Sequence, residues 1–186
     1  INMKELGISN DVPLSGIMGD SHAALFAHQG WRAGSFKATF GTGTSLMGLT
    51  EANPQTIAWQ LGGNITRATE ANILSTGSTL VWLSELLGTT PDDLAKLAPE
   101  STQQVELVPA FNGLGAPWWD REATGIIAGL TRGSTRADLA AAALRSTAAQ
   151  INDVLEDFAQ SNIKIDALFA DGGGAKNSYL MQMLAD

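Results

Sequence analysis

The stretch "TRADLAAAALRSTAAQINDVLEDFAQ", residues 135–160, limits what this chain can fold into more than any other. Leu139, Leu144, Ala148, Ile151, Leu155 and Phe158 recur at helical spacing and make one apolar face. Thr135 and Asp138 form a capping box at its start. Such a helix needs a second layer to cover its face, and the surrounding sequence supplies strands.

Strands are predicted at "SFKATF" (35–40) and "SLMGL" (45–49), on either side of the turn "GTG". "TIAWQL" (56–61) and "NITRAT" (64–69) flank Gly62 and Gly63, a hairpin signal, and "ANILST" (71–76) reads as a further short strand or turn. "GSTLVWLSELLG" (77–88) carries Leu80, Leu83, Leu86 and Leu87 at helical spacing and stops on Gly88. "TPDDLAKLA" (90–98) opens with Thr90, Asp93 and a first-turn Pro91, a helix start. "VELVPAF" (105–111) and "TGIIAGL" (124–130) read as strands around a glycine- and tryptophan-rich loop. "IDALFA" (165–170) reads as a buried strand leading through "DGGGAKN" into a helix with Leu180, Met183 and Leu184. Near the start, "DSHAALFAHQG" (20–30) reads as a helix with Asp20 at its head and Gly30 at its C-cap. Antiparallel strands first, then strands with long helices, predict a mixed α/β domain.

The 186 residues suit one domain, or one domain with part of another, and 44% hydrophobic content is enough for a substantial core. A net charge of -8 without a Lys/Arg cluster argues against a nucleic-acid partner. No cysteine is present, so disulfides and thiolate metal sites are excluded. The two histidines, His22 and His28, lie six apart and do not form a metal pair. No apolar run is long enough for a membrane helix, and "INMKELGISND" lacks a signal pattern. The expectation is a cytoplasmic protein with no metal site of its own. The chain opens at Ile1 and stops within a predicted helix at "YLMQMLAD". We therefore expect a segment of a longer protein, truncated at both ends.

Three places could carry chemistry. Asp20 opens a helix, where a carboxylate serves either as a cap or, at a strand-to-helix corner, as a base facing the crevice. "FGTGTS" (40–45) offers backbone amides and the hydroxyls of Thr42 and Thr44, either an anion nest or a hairpin turn that needs glycine. "DGGGAKN" (171–177) sits between an apolar strand and a helix, which suits a phosphate at the helix N-terminus or close strand–helix packing. Neither loop has Walker A or dinucleotide spacing.

The ordered set "GDSHAALFAHQGWRAGSFKATFGTGTSLM", "LVPAFNGLGAPWWDREATGIIAGLTRGSTRADLAAAALRSTAAQINDVLEDF" and "DGGGAKNSYLMQMLAD" resembles the C-terminal domain of FGGY-type carbohydrate kinases over nearly the whole chain. The resemblance implies an actin-like, ribonuclease-H-like fold and one domain, residues 1–186, of a two-domain sugar kinase. The family closes its domains over ATP, Mg²⁺ and a sugar or polyol and moves the γ-phosphoryl group to a hydroxyl. By that likeness Asp20 matches the catalytic base, and Ser21 and His22 stand beside the acceptor. Gly41, Thr42, Gly43, Gly77, Gly172, Gly173 and Asn177 match nucleotide-contacting positions. ATP and ADP, a small sugar or polyol and a homo-oligomeric partner, as dimer or tetramer, are the implied partners. Glycerol-phosphorylating members usually carry glutamine after the catalytic aspartate, where this chain has Ser21 and His22, and often glutamine where it has Val81. At those positions the resemblance implies a four-to-six-carbon polyol or a ketose at least as much as glycerol. A nucleotide-binding regulator or assembly protein on the same fold is the alternative, and a phosphohydrolase a third reading. Asp20, standing where a proton would be abstracted, favours the kinase.

Overall fold

The computed structural model describes residues 5, 7, 16–28, 30–52 and 54–186. The signal-free reading of residues 1–11 falls almost wholly outside them, as does Gln29 in the predicted first helix. The elements run α1 (Asp20–Ala27), β1 (Ser35–Phe40), β2 (Thr44–Leu49), β3 (Thr56–Leu61), β4 (Asn64–Ile73), α2 (Gly77–Leu87), α3 (Pro91–Leu97), β5 (Glu106–Val108), β6 (Ile126–Ala128), α4 (Arg136–Gln160), β7 (Ala167–Gly172) and α5 (Ser178–Ala185). Short 3₁₀ turns cover Ala98–Glu100 and Gly174–Lys176.

Five strands form one mixed sheet in the order β3-β4-β2-β1-β7. The pairs β1–β2, β2–β4 and β3–β4 are antiparallel, whereas β7 runs parallel to β1. The β3–β4 hairpin turns on Gly62 and Gly63, both at positive φ (55° and 86°), as its glycine pair predicts. The predicted strand at 64–69 and the segment at 71–76 are one strand, β4, as far as Ile73. The strands predicted at 105–111 and 124–130 shorten to three residues each, paired in a separate ribbon.

Alternation along β1 sorts its residues between two faces. Phe36, Ala38 and Phe40 join Leu46, Ala71, Ile73, Leu83, Leu144, Ile151 and Phe158 in the main core, beneath α2 and α4. On the opposite face Met47, Ala58, Trp59 and Ala68 pack around Leu25 of α1. β7 is only half-buried rather than buried, because it lies at the end of the sheet.

Both helix starts read from the sequence have their caps, and the one at α4 is a full capping box. Thr90 Oγ1 accepts from the Asp93 amide at 3.1 Å at the head of α3. At α4, the Thr135 amide donates to Asp138 Oδ2 at 2.7 Å and the Asp138 amide reaches Thr135 Oγ1 at 3.4 Å. Gly88 closes α2 in the left-handed conformation, φ 64°. In α1 the terminal residues differ from expectation. Gly19 is the N-cap, Asp20 is the first helical residue and His28, not Gly30, is the C-cap.

Candidate active site

Two glycine turns leave the same end of two adjacent strands. β1 ends at Phe40 and runs into Gly41–Gly43, while β7 ends at Gly172, which is aligned with Phe40. Between the turns and the helices that follow lies a cleft of about 530 Å³. Gly41, Thr42, Gly77, Gly173 and Asn177 line it, together with Ser78, Leu80, Val81, Pro91, Asp92 and Ala95. A second hollow of about 370 Å³ shares Asp92, Ala95, Gly173 and Asn177 and reaches Lys176 and Tyr179. An apolar wall facing backbone and hydroxyl groups is the build of a small-molecule site.

The first turn is locked by backbone bonds. Thr42 O accepts from the Thr76 amide at 3.1 Å and the Ser78 amide at 3.0 Å, which fastens the turn to the head of α2. Thr44 Oγ1 and Thr76 Oγ1 share a buried bond of 2.9 Å. Two of the glycines here are demanded by packing. A Cβ on Gly77 would stand 2.3 Å from Gly41 O, and one on Gly43 would stand 2.3 Å from Ile73 O. Gly41 and Thr42 are exposed toward the cleft.

The three consecutive glycines divide the same way. Gly172 has φ 84° and lies so close to β1 that a Cβ would meet Phe40 O at 2.3 Å. A Cβ on Gly174 would meet Phe40 Cβ at 2.8 Å. Gly173 alone has open space around the position of its missing Cβ. The outer pair lets the turn fold onto Phe40, and the middle glycine keeps the cleft open. Asn177 caps α5, its Oδ1 accepting from the Leu180 amide at 2.9 Å. Neither Gly43 nor Gly172 is among the cleft-lining residues.

Asp20, Ser21 and His22 lie in the first turn of α1, the helix packed on the sheet face opposite the main core. The Asp20 carboxylate is exposed and accepts from the Ser21 amide at 2.7 Å. The far end of α1 is held by His28, whose Nε2 lies 2.8 Å from Asp171 Oδ2, with its ring stacked 5.7 Å from that of Phe169. Asp171 is thus tied on the α1 side of the sheet, just before the turn that walls the cleft. Sequence reading did not find this pair, because its members are 143 residues apart. It also passed over Lys37, a strand residue whose burial depends on α1 folding above it.

A mixed sheet with two glycine turns beside a shared cleft defines an α/β domain with a candidate ligand site at its strand ends. The chain belongs to the FGGY family of carbohydrate kinases, whose C-terminal-domain model matches residues 36–186. Among curated relatives, glycerol kinase 1 of Lactiplantibacillus plantarum is 40% identical, with 95% of this chain and 38% of the relative covered. The glycerol kinase of Paraburkholderia phymatum is 44% identical, covering 96% of this chain and 38% of its own. The chain therefore spans well under half the length of these relatives. Plasmodium falciparum glycerol kinase with ADP superposes with a TM-score of 0.85 at 29% identity, over 94% of this chain and 38% of the other. A xylulose kinase from Rhodospirillum rubrum shares the fold, with a TM-score of 0.80 at 24% identity over 97% and 38% of the two chains. The architecture is accordingly the actin-like ATPase fold of the FGGY sugar kinases.

Proposed function

We propose that this chain is the nucleotide-binding domain of an ATP-dependent kinase that phosphorylates a hydroxyl of a sugar or polyol. The observation that carries this reading is the cleft of about 530 Å³ between the turns at Gly41–Gly43 and Gly172–Gly174. Its backbone and hydroxyl groups suit phosphates, and Leu80, Val81, Pro91 and Ala95 suit the flat face of a base. Gly173 supports the assignment further, since its missing Cβ leaves the cleft free.

Phosphoryl transfer asks a protein mainly for positioning and charge stabilisation. Thr42 and Ser78 would donate hydroxyl bonds to phosphate oxygens, and Gly173 would admit the nucleotide against the β7 turn. Asp20 would accept the proton of the acceptor hydroxyl, having an exposed carboxylate with lone pairs to spare. Among the described residues no group of three His, Cys, Asp or Glu is placed to hold a metal. Mg²⁺, which the kinase reading implies, would arrive on the nucleotide, largely hydrated, as it usually does where phosphates are its main ligands. When bound, Mg²⁺ would neutralise developing phosphate charge.

For the acceptor, the relatives' names favour glycerol, whereas Ser21 and His22 beside Asp20 favour a longer polyol or a ketose. Measuring ATP consumption by the intact kinase across glycerol, C4–C6 polyols and ketoses tests the reading. Turnover with one acceptor is expected, and replacing Asp20 by Asn should lower kcat by about 100-fold or more with ATP affinity nearly unchanged. ATP binding without acceptor-dependent turnover would favour a regulator on the same fold, and ATP hydrolysis indifferent to acceptor a phosphohydrolase. Among the described residues no helix is long and apolar enough to cross a membrane. A cytoplasmic location and a homodimeric or homotetrameric assembly complete the proposal.

A further inference from the structure

Lys37 is fully buried, on the polar half of a sheet face. Register places its neighbours. Met47 stands opposite Lys37 on β2, Glu70 opposite Met47 on β4, and Thr39 opposite Ser45 one step along the strands. The ammonium donates to Ser21 Oγ at 2.6 Å and Thr39 Oγ1 at 2.9 Å, with Ser45 Oγ at 3.5 Å. Ser45 in turn donates to Glu70 Oε1 at 3.2 Å. Among the described residues every direct partner of this ammonium is a neutral hydroxyl, so there the charge is hydrogen-bonded but not ion-paired.

Burying a lysine in this way is costly and needs compensation. Burial pushes the Lys37 ammonium below its ordinary pKa, while the carboxylates of Asp171, Glu70 and Asp20 act in the other direction. For core stability alone, an apolar side chain at this position would serve at lower cost. The shortest bond of the ammonium goes to the residue next to Asp20, in the same helical turn.

We infer that Lys37 is a positioning residue, which fixes the first turn of α1 through Ser21 and so sets where the Asp20 carboxylate meets the acceptor hydroxyl. This rests on the kinase reading above, with Asp20 as base. A base displaced by about 1 Å can lose roughly 100-fold in rate. Nucleotide binding, made on the other side of the sheet, is untouched by such a displacement.

The test is a double-mutant cycle in the intact kinase, using Lys37→Met, Ser21→Ala and the pair, with Asp20→Asn alongside. For each, kcat and the KM for ATP and for the acceptor are measured, together with Tm. Each single variant should lower kcat by about 10–100-fold with KM for ATP unchanged, and the pair should be no worse than Lys37→Met alone. Independent, multiplicative losses would overturn the inference, since Lys37 would then not act through Ser21. So would normal kcat in Ser21→Ala, a variant expected to fold even if Lys37→Met does not. Losses in proportion to Tm, restored by cooling, would reduce Lys37 to a structural role and overturn it too. Normal turnover in Asp20→Asn would instead sink the kinase-base reading itself, which separates the two failures.

Discussion

Single residues in the triple glycine have separable jobs. Gly173 has room for a side chain and an ordinary φ of -63°. Gly172 has φ 84° and would clash with Phe40 O. Gly173→Val is therefore expected to fold normally and to weaken ATP binding by 10-fold or more (an order-of-magnitude figure for a side chain filling a ligand site). Gly172→Val is expected to lower Tm sharply or prevent folding, from strain and backbone overlap together. Calorimetric titration with ATP and a thermal melt of each variant check this. Equal ATP affinity in Gly173→Val and the unsubstituted kinase would mean the nucleotide does not pass over this turn. The composition "GGG" announced a tight place but could not say which glycine served packing and which the cleft. That distinction depends on Phe40, more than 130 residues away along the chain yet aligned with Gly172 across the β1–β7 pair.

At the scale of elements, much of the fold was legible because local chemistry and tertiary need agree. The capping box of α4 is the clearest case, but its aspartate does more than cap. Asp138 is buried, and its Oδ1 also accepts from Ser101 Oγ at 3.0 Å and from the amides of Thr102 and Gln103, both at 2.8 Å. One carboxylate thus ties the start of α4 to the loop before β5. Nothing in the local sequence signals the second half, since the donors lie 35 to 37 residues away. The backbone bond from Gln103, followed by the hydroxyl bond from Thr135, holds this carboxyl well below its ordinary pKa. A depressed folded-state pKa gives stability that is present above the unfolded value of 3.8 and is lost as pH falls below it. Asp138→Asn turns an amide donor toward groups that themselves donate, so Tm should fall by several degrees at neutral pH. That deficit should stay level above about pH 5 and close below the unfolded pKa, as melts across an acid series would show. A deficit independent of pH would mean the charge of Asp138 contributes nothing. The lengths of β5 and β6 and the half-burial of β7 were not legible, because each is set by the neighbours it has or lacks.

Across the whole molecule, the sheet separates the two proposed tasks. The glycine cleft lies on the side of α2, α3 and α5, whereas Asp20 belongs to α1 on the opposite face. The two sides come together where β1 and β7 end, with Asp171 bonded to His28 on one side and Gly173 opening the cleft on the other. Composition alone, with a net charge of -8, gives no hint of the proposed phosphate site, because backbone amides and hydroxyls can hold phosphates locally. This division predicts how ligands should report in hydrogen exchange. ADP added to the intact kinase should slow exchange in Gly41–Gly43, the first turn of α2 and Gly173–Asn177, and leave the amides of α1 unchanged. The acceptor should do the reverse, slowing the first turn of α1 around Asp20 and Ser21 with little effect at Gly173. Protection of α1 by ADP alone would mean that the nucleotide orders the Asp20 helix before any acceptor binds. The sheet would then act as a coupler between the two sites rather than a partition.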